Sequence, residues 1–349
     1  MHPGVTITTD DTHDWHLPVA ASGLLLHVPA EGRWLQRPAL HMEAAPDFRL
    51  RLVSGGQPLL WARIQAYWDQ SVFLRGTAPE PWKLPLLTAP DIRAVTSEPG
   101  TPSWWEAWAR YLGRALIDAP ATVLHTGRWC LRPIDVIPPE QASRHAVSSM
   151  EWGFGQAPTS PHSLDTILQF LPAWTENWWQ ERPEHKCGVV LPLRAPSAPD
   201  DGRVKSWRKR ARDGTLPPAL LLYVDIFAKW LLLDGHDRIH AALLEGVEPP
   251  LLGLWPYIDT VQPASAVREQ GALIGAELQL RAGATPEVID RVNRQLVRSF
   301  HWPERGTVTR AWPIAGGAEA WRAEVLAARR ENTGPLDEDD WNWFVSARG

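Results

Sequence analysis

Apolar positions along this chain change their spacing several times, and each change predicts an element. In the first hundred residues the runs are short: Leu24-Leu25-Leu26-His27-Val28, then Phe48-Arg49-Leu50-Arg51-Leu52-Val53 with a period of two. Leu59 to Tyr67 follows across Ser54-Gly55-Gly56-Gln57-Pro58, a spacing that predicts a hairpin. Residues 1–100 are therefore expected to form a β-rich module. His13, Asp14 and His16 lie in a polar leader and read as solvated. Beyond Pro99–Pro102 the period lengthens. Ser103 is placed to cap a helix on which Trp104, Trp108, Tyr111, Leu112, Ala115 and Leu116 share one face.

Trp129 to Ile137 reads as a strand that ends in Pro138-Pro139, residues 153–163 as a loop, and Ser163 to Phe170 as a helix. With Trp174, Trp178 and Trp179 after it, residues 101–187 make a mixed, Trp-rich connecting region. Residues 188–193 are extended again, and Ala195 to Gly202 is the clearest loop in the chain. Val204, Trp207 and Ala211 then mark one face of a helix whose other positions include Arg203, Lys205, Arg208, Lys209, Arg210 and Arg212. Two apolar strands, Ala219 to Val224 and Lys229 to Leu233, lead into Asp234-Gly235, a short helix, and a strand from Leu251 to Trp255. Val261 to Leu280 fits neither period. Thr285-Pro286-Glu287 opens a helix with Val288, Ile289, Val292, Leu296 and Val297 on one side. Glu319 to Arg330 is amphipathic, and Asp337-Glu338-Asp339-Asp340 starts a last helix whose aromatics would dock it on the body. An α+β protein follows, with an α/β domain over 188–260 and a mainly helical extension over 261–349.

Composition narrows the classes. The 349 residues are 44% hydrophobic and 21% charged, as in an ordinary globular chain. There is no apolar run of the roughly 18 residues that a membrane span needs, and Met1-His2-Pro3-Gly4-Val5 lacks a signal-peptide layout, so a cytoplasmic protein without a membrane role is expected. Cys130 and Cys187 are too few for a metal-binding quartet and read as buried thiols. The 21 tryptophans stand against 4 tyrosines and 3 methionines. They read as mostly core and half-buried, with a protein-partner surface as the alternative. A net charge of -5 argues against wholesale wrapping of nucleic acid, yet leaves room for one local basic face.

The chemistry concentrates at Asp234-Gly235-His236-Asp237-Arg238. A strand running through a tight turn into a helix start leaves backbone N–H groups unpaired beside a dipole of about half a positive charge, an arrangement that favours phosphate. Asp234 and Asp237 also have a purely structural reading, as N-cap and first-turn acid. His236 and Arg238 do not, because cations at a helix start are unfavourable by about 0.3–1 kcal/mol unless an anion compensates. That anion is either a bound phosphate or a carboxylate of the chain. His240, one turn on, reads as a half-buried polar residue.

The order of elements from Arg203 to Trp255, with Gly235-His236-Asp237-Arg238 opening an alanine-bearing helix and Gly246 closing it, resembles the ParB/sulfiredoxin-like superfamily. The resemblance covers about 53 of 349 residues and implies a compact α/β fold. Partition proteins of that superfamily carry two arginines at the turn where this chain has one. Sulfiredoxins place their reactive cysteine where His236 stands, so sulfinic-acid repair lacks its nucleophile here. The nearest form is the Asp-Gly-His-His-Arg of free-serine-kinase-like and ParB-like nuclease domains, with Asp237 replacing the second histidine.

Two functions of different class follow as expectations. In the first, a nucleotide (ATP or CTP) sets its phosphate on Gly235, Arg238 forks onto the oxygens, His236 moves a proton, and Asp234 holds Mg2+. Arg208 and Lys209 of the basic helix attract the polyphosphate, Asp237 lines the site, and phosphotransfer or nucleotide hydrolysis is the reaction. Glu140 and Asp225 are the acids considered for an accepting base, although no motif fixes either. In the second, the scaffold persists without chemistry, as in an immunity or accessory protein, and binds a protein partner. A ParB-like nuclease using Asp234 and Asp237 is a third option with thinner support.

Overall fold

The structure is a computed structural model. It describes residues 4–10, 23–64, 71–76, 84–134, 178–181, 190–227, 229–261, 266–286, 288–289, 292, 303–307, 309–330 and 338–346. The expected loop at 153–163 and helix at 163–170, the polar leader, Trp174, Glu140 and Cys187 lie outside these residues.

The strands that read as continuous apolar runs form the centre of a mixed sheet. These are β10 (Ala219–Val224), β11 (Lys229–Asp234) and β12 (Leu251–Val261). They stand in the order β1-β2-β7-β12-β10-β11-β9, where β1 is Thr6–Asp10, β2 Gly23–Val28, β7 Gly127–Ile134 and β9 Val190–Pro192, and β13 (Pro303–Gly306) pairs antiparallel with the end of β12. β10 is antiparallel to β11 and parallel to β12, and β9 is parallel to β11. The runs lack polar alternation because both faces of this sheet are covered. Leu220, Leu222, Leu231 and Leu254 enter one core cluster, while Leu221, Trp230, Leu232 and Trp255 enter another on the opposite face. Gly253 leaves room for one of those rings: a Cβ there would stand 2.6 Å from Trp230 Cη2.

A second sheet follows the order β14-β3-β4-β5-β6-β8. It holds the hairpin read from the sequence, β4 (Arg49–Ser54) and β5 (Gln57–Ile64), together with β3 (Leu40–Ala45), β6 (Ser71–Arg75), β8 (Trp178–Glu181) and β14 (Ala311–Pro313). The first hundred residues are thus rich in strand, and they divide between the two sheets. β1 and β2 join the sheet that carries the Gly235 turn. One core unites both sheets with helix α2 (Pro102–Asp118), whose Trp104, Trp108, Leu112 and Leu116 are buried as the stripe predicted. Its cap is Thr101, which accepts from Trp104 N–H, and Pro102 takes the first helical position where Ser103 was expected to cap.

Arginines hold the helix ends in place. Arg33 donates to the carbonyls of Ile117 and Ala119 at the end of α2, where a cation also meets the negative pole of the dipole. Arg63 does the same for the last helix, donating to the Trp343 carbonyl, and Arg49 donates to Ser346 O at 2.6 Å. That helix docks as expected, with Phe344 against Trp321 at 4.9 Å between ring centroids. Of the tryptophans whose side chains are described, Trp34, Trp61, Trp104, Trp108, Trp129, Trp207, Trp230, Trp255 and Trp321 are buried, and the others are half-buried. Cys130 is buried, as expected. Among the described residues no helix is long and apolar enough to cross a membrane.

One turn is strained. Asp47 and Phe48, between β3 and β4, have φ of 61° and 52°. A left-handed conformation costs an L residue roughly 1–2 kcal/mol, and Phe48 is 42% exposed, so little packing offsets the cost. Phe48→Gly is expected to raise stability by about 1 kcal/mol, read as a higher denaturant midpoint with an unchanged slope. A lower midpoint would mean that the ring contributes more than the backbone loses.

Candidate functional site

Gly235 sets the site. Its φ of 99° lies where L side chains rarely go, and a Cβ would stand 2.7 Å from Ala219 Cβ and 3.0 Å from Arg238 Nη2. The chain can therefore fold tightly onto β10 before the next helix begins. That helix (His236–Leu244; α4, after α1 Ala89–Ala94, α2 and α3 Gly202–Arg212) has Gly235 as its N-cap, without a side-chain capping bond. Asp234, a candidate cap on sequence grounds, has another partner.

Arg238 turns back toward the strand. Its Nη2 donates to Asp234 Oδ2 at 2.7 Å and to the Pro218 carbonyl at 3.1 Å. The guanidinium lies 5.7 Å from the Trp207 ring centroid. With its side chain only 2% exposed, the charge is neutralised inside the protein by a carboxylate four residues earlier. Arg238 Nε and Trp207 Nε1 are buried without a hydrogen-bond partner among the described residues.

His236 is equally committed. Its Nε2 accepts from the backbone N–H of Leu193 at 3.1 Å and of Arg194 at 3.3 Å, which assigns the ring proton to Nδ1. Burial, reinforced by the nearby Arg194 charge, pushes its pKa down to about 3. Near neutral pH the ring is uncharged and its Nε2 lone pair is occupied. Asp237 Oδ1 accepts from Ser197 N–H at 2.8 Å, and Oδ2 lies 3.3 Å from Arg194 Nη2 and 3.5 Å from Arg203 Nε. Burial works to raise the carboxyl's pKa, but the Ser197 N–H and the two arginines outweigh it and hold the group below its ordinary value. His240 Nδ1 meets the Ser197 carbonyl at 3.1 Å. The segment 193–197 therefore lies across the first turn of α4, hydrogen-bonded to His236, Asp237 and His240.

The basic helix α3 runs beside α4 in the same sense. Arg203 at its start reaches Asp237, while Arg208 and Arg212 reach Glu245, beyond the last turn of α4. At 1.5 Å per residue Glu245 is about 15 Å from Gly235. Arg208, expected to add positive potential at the turn, instead neutralises the opposite end, and Lys209 is exposed on α3. Asp225, considered as an accepting base, begins the 3-10 turn at the other end of β11. At about 3.3 Å per residue that puts it roughly 20 Å from His236 along the strand. Burial alone raises its pKa to about 6.

Asp234 was read as the Mg2+ ligand. Its Oδ2 is spent on Arg238, and among the described residues no three His, Cys, Asp or Glu side chains are grouped to hold a metal ion. Tyr111 of α2, read only as part of a core stripe, belongs to the surroundings of the turn. Burial first, then the charge and hydrogen bond of Asp91, then Asp234, push its pKa up to about 12, so it stays a donor. Arg194 and Ser197 also lay outside the sequence reading. Nothing in a proline-rich loop signals which helix it will cover.

Scans against protein-family models, curated proteins and solved structures returned no match to this chain.

The two shifted groups predict opposite pH effects. The folded pKa of His236 is below its ordinary 6.5, so its contribution is complete above about 6.5 and is lost as pH falls toward 3. Between these limits the slope approaches about 1.4 kcal/mol per pH unit, and His236→Gln, which retains an acceptor, should flatten it in urea titrations. Asp225 has a raised pKa. Its contribution is present below 3.8 and is lost as pH rises through about 6. Asp225→Asn should accordingly raise the melting temperature at pH 7 and leave it little changed at pH 4. A stabilisation equal at both pH values would contradict the burial of that carboxylate.

Proposed function

We propose that this chain is a non-catalytic protein-interaction module, of the kind an immunity or accessory protein represents, in which a ParB/sulfiredoxin-like scaffold serves as a rigid frame. The order α3, β10, β11, Gly235, α4, β12 supports the scaffold reading. One observation carries the functional reading: the charged groups of the turn are bound within the chain. Arg238 has Asp234, Asp237 has Ser197 N–H and two arginines, and His236 accepts two backbone N–H groups with no lone pair left at Nε2. A phosphate at this helix start would have to compete with a carboxylate already in place, and a proton shuttle would need a group titrating near neutrality.

Nucleotide binding is retained as a second reading by one specific feature: Nε of Arg238 and Nε1 of Trp207 are both buried without a partner among the described residues, and the guanidinium lies 5.7 Å from the Trp207 ring centroid. These two donors suit an oxygen acceptor. The readings separate in a single set of melts. With the interaction reading, Arg238→Ala strands the Asp234 carboxylate and destabilises the protein by about 3–5 kcal/mol in buffer alone, and ATP or CTP with or without Mg2+ leaves the parent melting temperature unchanged. With nucleotide binding, ligand at 100 times its dissociation constant adds about 2.7 kcal/mol to the parent and nothing to the variant. The latter pattern would overturn the proposal.

A further inference from the structure

Large apolar side chains left exposed by the fold gather on one helix. Of the ten among the described residues, Leu273, Ile274, Leu278 and Leu280 all lie on α5 (Ala266–Ala282). The other six are scattered through the chain, and single exposed aliphatics need no explanation. Ala276 is buried, which turns the opposite side of α5 outward. At about 100° per residue, Ile274 and Leu278 fall on one flank of that outer face and Leu273 and Leu280 on the other. Glu277 and Arg281 run along its midline, both exposed, and pair with each other at 2.6 Å. A Cβ at Gly271 or Gly275, beside Ile274 and Leu278, would meet nothing within 4 Å, so among the described residues that flank is open to approach.

We infer that a second copy of the chain docks on this face, the two α5 helices running antiparallel about a two-fold axis. Such an axis, lying between the helices and across them, keeps each flank opposite its own counterpart and makes residues i and j of one copy meet j and i of the other. Ile274 then meets Leu278 about a point level with Ala276, and Leu273 meets Leu280 about a point half a residue farther along. These two points agree within about 0.8 Å at 1.5 Å per residue, so one axis serves both flanks. Self-complementarity of this kind is required of a second copy and of no other partner. The midline, its acid and base already paired, holds no net charge to select a charged partner. Antiparallel packing opposes the two helix dipoles and keeps the Arg281 side chains about 14 Å apart along the axis, whereas a parallel pair would align the dipoles and stack Arg281 on Arg281. The two Glu277 side chains do approach near the axis, which weakens the dimer. Half the surface of a helix about 10 Å across and about 25 Å long is roughly 400 Å² per copy, or about 800 Å² in all, the size of a weak and reversible interface.

The test is sedimentation velocity of the full chain from about 10 to about 500 μM, the range in which an interface of this size assembles. Mass is expected to rise from monomer toward dimer, Leu273→Glu/Leu278→Glu to weaken association at least tenfold, and Glu277→Gln to strengthen it a few-fold by removing the like charges at the axis. Both leucines are exposed, so the double variant should melt within about a degree or two of the parent, which excludes unfolding as the cause. Cysteine cross-linking in a Cys187→Ser background reads the direction: Glu277→Cys should link two copies through a disulfide, whereas Arg281→Cys, about 14 Å from its counterpart, should not, because disulfides need Cα atoms within about 7 Å. A monomer at every concentration would assign the face to another partner and overturn the inference. Association indifferent to the leucine changes, or equal cross-linking at both positions, would overturn it as well. None of these readouts involves nucleotide or Arg238, so the inference stands or falls apart from the reading of the Gly235 turn.

Discussion

A guanidinium buried at the positive end of a helix needs an anion, and the architecture around Gly235 follows from where that anion comes from. Arg238 takes it from Asp234, the last residue of the preceding strand. The pair closes only if the chain reverses within one residue, which needs the left-handed backbone of Gly235, and only if β10 lies close enough for Pro218 to offer its carbonyl. The two side chains between Gly235 and Arg238 are buried and polar as well. The segment 193–197 satisfies them by giving His236 and Asp237 backbone donors. A polar network of this kind rigidifies a fold when every member is matched, and removing one member strands the others.

The same economy recurs at a distance from the turn. Arg33 and Arg63 each satisfy carbonyls at the end of a helix, and Arg51 joins Glu43 to Glu324, drawing the helix Gly317–Arg330 onto the second sheet. Buried charge in this chain mostly fixes one element against another.

Much of the fold was legible because burial writes itself into spacing. The unbroken apolar runs at Ala219 to Val224 and Lys229 to Leu233 announced strands, the stripe beginning at Trp104 announced α2, and the Val204, Trp207, Ala211 spacing gave the inward face of α3. Pairing partners were not legible. Period two says which way a side chain faces and is silent on which strand lies alongside, so the joining of β1 and β2 to the sheet of β10 could not be read. α5 escaped because its apolar residues are spread around the helix, with Leu273, Ile274 and Leu278 all exposed. At the candidate site the turn and helix were read correctly. Whether a phosphate or a carboxylate of the chain answers Arg238 was left open there, although Asp234 and Arg238 are four residues apart. Asp234 belongs to the strand, where helical spacing is not looked for, and the donors to His236 and Asp237 come from a loop more than forty positions upstream on average.

A double-mutant cycle on Asp234 and Arg238 tests most directly whether the turn neutralises itself. Asp234→Asn, Arg238→Met and the double variant would be compared with the parent by urea unfolding in buffer without nucleotide. If the pair neutralises itself within the chain, each single change is costly and the double change costs less than their sum, with a coupling above about 1 kcal/mol. Additivity within about 0.5 kcal/mol would contradict this, because Arg238 would then be indifferent to Asp234 and its anion would have to come from outside the chain.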